Sequence, residues 1–78
     1  MITVKFERID KMGRPVFKSI SSNKRYGSLD KLFYRYATQE DILRDVKDND
    51  LVSFGNKKDC EPQGNKPKDK VFIVRGKQ

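Results

Sequence analysis

Apolar and polar residues alternate along the first stretch of the chain, and this pattern limits the fold more narrowly than any other feature. From Ile2 to Phe6 every second residue is apolar, and polar residues stand between them. A period of two is typical of a β-strand with one buried face. Residues 10–13 then offer a turn, and a second extended stretch begins at Pro15, which suits the start or edge of a strand. The first twenty residues therefore predict a β-hairpin.

Three more strands are predicted after the hairpin. Residues 24–28 can pair back on the hairpin, and Gly27 within them would allow a bulge, a bend or a close approach to the backbone. Residues 51–54 are mostly apolar, and residues 71–74 form a short continuous apolar run with β-branched side chains. Such stretches are typical of strands, and the last one is typical of a closing strand or one covered on both faces.

A short helix is predicted over residues 39–47. Thr38 supplies an N-cap hydroxyl, and two carboxylates in the first turn suit the helix dipole. Apolar residues then form a single stripe along the helix. Residues 29–36 are compatible with a strand or a helix, because apolar residues recur there at helical spacing while residues 32–36 are also rich in aromatic strand formers. The sequence leaves that choice open.

Two architectures accommodate these elements. The first is a mainly β fold, a small five-stranded antiparallel OB-like barrel with one short helix between strands 3 and 4. The second is an α+β fold in which a sheet is packed by one longer helix, residues 29–47. In either case we expect residues 1–78 to form one domain, with residues 56–70 as a long, polar, basic loop.

The residue types present exclude several kinds of chemistry. The 78 residues include no His and one Cys, which removes Ser-His-Asp and Cys-His catalysis, Cys/His zinc sites and an intramolecular disulfide. Asp45, Asp48 and Asp50 lie close together, but Val52 and Ser53 stand where an EF-hand needs its remaining ligand and glycine. We therefore expect a protein that is not an enzyme and has no catalytic residues, no metal site and no cofactor.

Hydropathy gives an expectation for the compartment. No apolar run approaches the roughly 18 residues of a membrane span, and the first residues lack the apolar region of a signal peptide. We expect a cytoplasmic protein without a membrane partner. The sequence does not indicate an oligomeric state.

The formal charge of +7 is unevenly distributed. Residues 1–36 hold nine basic and three acidic side chains, a net charge of +6, together with six of the eight aromatic residues. Residues 37–54 carry −3 and residues 55–78 carry +4. Basic side chains neutralise phosphates, and exposed aromatic rings stack on unpaired bases. This combination favours a surface for single-stranded DNA or RNA, although a solvated basic face would have the same composition.

The candidate nucleic-acid-binding residues are basic or aromatic and come from two regions of the chain. They are Lys24, Arg25, Tyr26, Lys31, Tyr34, Arg35, Tyr36, Lys57 and Lys58. The last two belong to the basic loop, which also contains Lys66, Lys68 and Lys70. A flexible solubilising loop would account for those lysines equally well.

Basic, aromatic and glycine residues occur together in residues 24–29 (KRYGSL), and aromatic residues recur in residues 32–36 (LFYRY). With residues 46–54, these stretches resemble two aromatic strands and the turn into the fourth strand of cold-shock-domain proteins. Arg25 stands where that family usually has glycine, and Ser28 where it has a second aromatic residue.

A second alignment register with the same family places residues 11–13 where residues 24–26 stand in the first. It covers the chain more evenly but loses the aromatic residues. In either register the resemblance implies an OB barrel that binds single-stranded nucleic acid and carries out no catalysis.

A different class of function is also compatible with the sequence. A small phage- or plasmid-type protein could bind a host protein and inhibit or regulate it. Such a protein would use the acidic residues 39–50 or an exposed strand edge as its contact surface.

Overall fold

Five strands and one short helix form the part of the chain described by a computed structural model, namely residues 1–28, 37–54 and 62–75. The strands are β1 (Ile2–Ile9), β2 (Pro15–Ser19), β3 (Arg25–Ser28), β4 (Leu51–Ser53) and β5 (Val71–Ile73). The helix α1 (Gln39–Asp45) lies between β3 and β4 and is followed by a 3-10 turn, Asp48–Asp50. The mainly β class with one short helix is therefore confirmed.

The strands form one curled, mixed sheet, a half-barrel with the order β4-β3-β2-β1-β5. β1, β2, β3 and β4 pair antiparallel with their neighbours, but β5 pairs parallel with β1, with Val4 opposite Ile73. The prediction of an entirely antiparallel sheet is therefore wrong at this pair. Successive strands reverse direction along the chain, so β1 and β5 run the same way and can pair only in parallel.

The inner face of the sheet packs against α1 and forms the core. Its buried residues are Val4, Phe17, Tyr26, Leu51 and Ile73 from the strands and Ile42 and Val46 from the helical region. Phe6 and Phe17 are cross-strand neighbours whose rings meet edge to face, with centroids 5.8 Å apart. Such aromatic pairs add about 0.5–1.5 kcal/mol beyond the area they bury.

The start of α1 follows the predicted capping pattern. The Thr38 side chain accepts a hydrogen bond from the Asp41 N–H, and the Asp41 carboxylate accepts one from the Thr38 N–H, each at 3.2 Å. Thr38 itself has extended backbone angles, so the helix begins at Gln39 and the alternative of one helix over residues 29–47 is wrong. The helix also ends two residues earlier than predicted, because Val46 is extended and fully buried in the core.

A β-bulge at Glu7 interrupts the alternation of β1. Phe6 lies opposite Phe17 and Arg8 lies opposite Val16, so one residue of β1 has no counterpart on β2. The extra residue changes which side of the strand later residues occupy. Ile9 can therefore pack against the core on the same face as Phe6, although the two are three positions apart, a spacing that places residues of a regular strand on opposite faces.

Gly27 lies directly beneath the ring of Phe54. A Cβ atom at Gly27 would stand 2.3 Å from Phe54 Cε1 and 3.2 Å from the Pro15 carbonyl oxygen. Of the three roles that the sequence allowed for this glycine, close approach is the one observed. Ser53 lies opposite Tyr26, whose side chain faces the core, so its neighbours Val52 and Phe54 lie on the face opposite α1. On that face the Phe54 ring takes the space that a side chain at Gly27 would need.

Arg75 ties the end of β5 to the end of α1. Its guanidinium donates hydrogen bonds to the carbonyl oxygens of Leu43 and Val46, the latter at 2.7 Å. It also donates to Asp48 Oδ1 at 3.0 Å, and the same oxygen accepts the Ile73 N–H at 3.2 Å. Unpaired carbonyls at a helix C-terminus favour a cation, so this arrangement stabilises the helix and fixes β5 beside it.

Candidate nucleic-acid interface

The face of the sheet opposite α1, which we call the outer face, carries a row of three cations. Lys5 on β1 lies opposite Lys18 on β2, and Lys18 lies opposite Arg25 on β3. Directly opposed residues project from the same face of a sheet. Neighbouring strands are about 4.8 Å apart, so the row places three positive charges within roughly 10 Å of backbone. We call these residues the basic row.

The basic row is electrostatically unfavourable for the folded protein on its own. Like charges directly opposite each other destabilise a sheet, by up to about 1 kcal/mol for a pair. Among the residues that the structure describes, no carboxylate lies within ion-pair distance of Lys5 or Lys18. An anion bound over this face would relieve the repulsion.

Arg25 is the member of the basic row that has an internal partner. Its Nε and Nη2 atoms donate to the two carboxylate oxygens of Glu7, at 2.8 and 3.1 Å. The pair reaches across β2, since β1 and β3 lie on either side of that strand. The hydrogen bond from Arg25 lowers the pKa of Glu7, and the charges of Arg25, Arg8 and Lys18 lower it further against the opposing effect of burial.

Low pH should lower the stability of the folded protein partly by protonating Glu7 of this pair. Because the pKa of Glu7 is lower in the folded state than in the unfolded chain, its contribution is complete above the ordinary glutamate range and is lost as the pH falls below it. We expect urea midpoints to fall less between pH 7 and pH 3 in Glu7→Gln than in the parent protein. The urea midpoint of Arg25→Gln should also fall less than that of the parent protein. The double variant should behave like either single variant. Equal losses in all four proteins would contradict this role.

Exposed apolar side chains lie beside the basic row on the outer face. Phe72 on β5 is opposite Thr3 and is 48% exposed. On the other side of Thr3, the Ile20 N–H donates to the Thr3 carbonyl at 3.0 Å, which continues the ladder beyond β2. Ile20 is 60% exposed. The outer face therefore combines an exposed aromatic ring with lysines, the two components that a single-strand binding surface needs.

The structure separates the three consecutive residues that the sequence grouped as a binding strand. Side chains alternate between the faces of a strand, so only Arg25 lies on the outer face. Lys24 immediately precedes β3 and is exposed, and its carbonyl accepts a hydrogen bond from the Ser19 N–H. Tyr26 is 5% exposed and packs in the core beside Phe17. Tyr26 therefore cannot serve as the exposed stacking residue that the sequence suggested.

The remaining predicted residues fall outside the described part of the chain. They are Lys31, Tyr34, Arg35, Tyr36, Lys57 and Lys58. Of the basic loop, residues 62–65 lie along β4, where the Ser53 N–H donates to the Asn65 carbonyl at 3.0 Å and the Gln63 N–H donates to the Ser53 carbonyl at 2.9 Å.

Sequence reasoning missed Lys5, Lys18 and Phe72 as members of the candidate surface. The signal for the lysines was present, because Lys5 occupies the polar side of the alternating β1 pattern. Its meeting with Lys18 depends on the bulge at Glu7, which shifts this pair by one residue relative to the pairs beside the turn, Arg8 with Val16 and Ile9 with Pro15. Phe72 stood in an apolar run typical of a covered strand, and only the position of β5 at the sheet edge exposes it.

Several carboxylates of the acidic segment proposed as a protein contact already have bonding partners within the fold. Asp41 bonds Thr38 and Arg44, and the Thr38 N–H is the main cause of the lowered pKa of Asp41. Asp48 bonds Arg75, and Asp50 accepts the Lys47 N–H at 3.3 Å. These carboxylates therefore act as helix-end and turn acceptors within the fold.

Comparisons with protein-family models, curated proteins and solved structures give no match to this chain. Within residues 1–28, 37–54 and 62–75, no three potential metal-ligating side chains cluster. In the same ranges, no helix has the length and apolar character needed to cross a membrane. The candidate interface therefore stands on its own geometry and charge.

Proposed function

We propose that this protein is a small, non-enzymatic module that binds single-stranded nucleic acid on the outer face of its sheet. The observation that carries the proposal is the basic row, three cations on adjacent strands, two of which have no carboxylate partner among the described residues. Phosphates would neutralise Lys5 and Lys18, and Phe72 would stack on a base at the edge of the row.

The order of elements along the chain supports an analogy with OB folds, although the parallel pairing of β1 with β5 departs from the antiparallel barrel that was predicted. In OB folds, the face formed by strands 2 and 3 binds oligonucleotides, and the basic row crosses β2 and β3 here. The curled five-strand sheet with a helix between β3 and β4 has the element order of that class. This is an analogy of architecture, and the charge and exposure of the outer face provide the functional argument.

The direct test is binding of a fluorescent single-stranded oligonucleotide across a salt series. We expect Lys5→Gln with Lys18→Gln to weaken binding about tenfold and to reduce the slope of log K against log salt by about 1.4, the value for two lost contacts on a single strand. Lys11→Gln with Lys47→Gln removes the same charge from exposed positions outside the basic row. Equal weakening by both double variants, or no binding at low salt, would refute the proposal.

Phe72 allows the stacking component to be measured separately. Phe72→Leu keeps an apolar side chain but removes the aromatic face, and we expect it to cost about 1–3 kcal/mol of binding free energy. Phe72→Tyr keeps the ring and should bind as the parent protein does. Salt dependence should be unchanged in both variants, because neither alters a phosphate contact.

A nuclease-treated pull-down separates this proposal from a protein-binding regulator acting on a host protein. A partner that is lost on digestion supports nucleic-acid binding. A protein partner that survives digestion and still binds Lys5→Gln with Lys18→Gln would favour the regulator.

A further inference from the structure

A groove outside the nucleic-acid proposal runs beside the free edge of β5. It lies between the 3-10 turn and the segment leading into β5, with a volume of about 490 Å³. Its lining includes Asn49, Lys66, Lys68, Lys70 and Val71. The volume lies within the range of about 300–1,000 Å³ found for ligand clefts. The groove is therefore large enough to receive part of another molecule.

The edge of β5 presents an unused backbone donor and acceptor to this groove. The Lys70 carbonyl accepts the Ile2 N–H and the Val74 N–H donates to the Val4 carbonyl, so residues 70, 72 and 74 turn their backbone groups toward β1. The backbone N–H and carbonyl groups of Val71 and Ile73 therefore point away from β1. Asp48 accepts the Ile73 N–H. Within the described residues, no partner bonds the N–H or carbonyl of Val71.

The opposite edge of the sheet is already occupied. Residues 62–65 bond to β4 through Ser53, and Phe54 forms a bridge with Pro62. β5 therefore provides the edge of this sheet at which a further strand could add. Strand addition requires an edge with free backbone groups and space beside it, and both are present at Val71.

The charges of the groove favour an acidic occupant. Lys66, Lys68 and Lys70 are exposed along one wall. Asp48 also lines the groove, but Arg75 already pairs with it, which leaves Asp69 as the other carboxylate of the lining. We propose that the groove binds an acidic, extended polypeptide segment as an added strand on β5. A nucleic acid could contact the lysines but could not form a β-ladder with Val71.

The proposal can be tested with a fluorescent eight-residue peptide of alternating Val and Glu, added up to millimolar concentration. The same peptide with Lys in place of Glu tests charge, and one with N-methylated alternate amides tests the backbone ladder. We expect binding of the acidic peptide alone, with a shift of the Val71 amide resonance. Absence of binding, or equal binding of all three peptides, would overturn the proposal.

Protein variants locate the site independently of the outer face. Lys68→Gln with Lys70→Gln should weaken peptide binding about tenfold, whereas Lys5→Gln with Lys18→Gln should leave it unchanged. Val71→Pro removes the outward N–H without removing a bond to β1, and Val71→Ala is its control for lost packing. We expect only the proline variant to abolish binding.

The outcomes distinguish this site from the nucleic-acid interface. Strand addition at β5 would be overturned if peptide binding depended on Lys5 and Lys18. It would also be overturned if an oligonucleotide, and not the acidic peptide, shifted the Val71 amide resonance. If Val71→Pro does not fold, the N-methylated peptide still tests the ladder in the unaltered protein.

Discussion

Gly27→Ala is expected to destabilise the protein by about 1–3 kcal/mol, the usual cost of adding a carbon to a filled site. The new Cβ would stand 2.3 Å from Phe54 Cε1 and 2.9 Å from Cζ, far inside van der Waals contact. Relief requires the ring to leave its place over β3. For a domain of this size the loss corresponds to a fall in melting temperature of about 4–8 °C per kcal/mol, measurable by calorimetry.

The matched control is the same substitution in a Phe54→Ala background. Most of the cost should disappear there, because the ring that obstructs the new methyl is absent and alanine is more favourable than glycine within a strand by about 0.5–1 kcal/mol. The interaction energy from this double-mutant cycle should therefore be large. Additive effects of the two substitutions would show that Phe54 does not occupy the space above Gly27.

Arg75→Ala is expected to cost about 2 kcal/mol of unfolding free energy, because hydrogen bonds to a charged group contribute about 1.5–3 kcal/mol and this side chain is 39% exposed. The substitution leaves the carbonyls of Leu43 and Val46 without their guanidinium donor. It also frees Asp48 from its ion pair. Denaturation by urea, followed by circular dichroism, measures the change.

Arg75→Lys tests whether the planar guanidinium matters beyond its charge. A lysine retains the favourable interaction with the helix C-terminus but cannot hold two carbonyls and a carboxylate in one fixed fork. We expect it to recover less than half of the loss. Full recovery by lysine would show that the effect is purely electrostatic, and a neutral Arg75→Ala would contradict the capping role.

Local patterns in the sequence were sufficient to predict the first hairpin and the start of the helix. The alternation from Ile2 to Phe6 and the turn before Pro15 predicted the first hairpin, and Thr38 predicted the start of α1 within one residue. Each of these signals depends on neighbours a few residues apart. The close approach at Gly27 was among the predicted options, although the identity of the approaching ring was not.

The features that sequence could not provide depend on contacts between distant segments. No local pattern indicates which sheet edge β5 joins, and that choice makes the β1 pair parallel and exposes Phe72. Tyr26 was assigned to a binding surface by composition, but its register opposite Phe17 buries it. The capping of α1 by Arg75 joins groups about 30 residues apart and has no sequence signature.

The parallel pairing of β1 with β5 also sets the order in which the sheet can be completed. During synthesis the first 28 residues contain β1, β2 and β3, which can pair with one another as soon as they are made. The second edge of β1 stays open until residues 71–73 follow. Pairing between such distant segments slows folding, and an open edge in the interval invites association with other chains. The nascent protein is therefore most vulnerable to misassembly after its first strands have formed and before β5 is available.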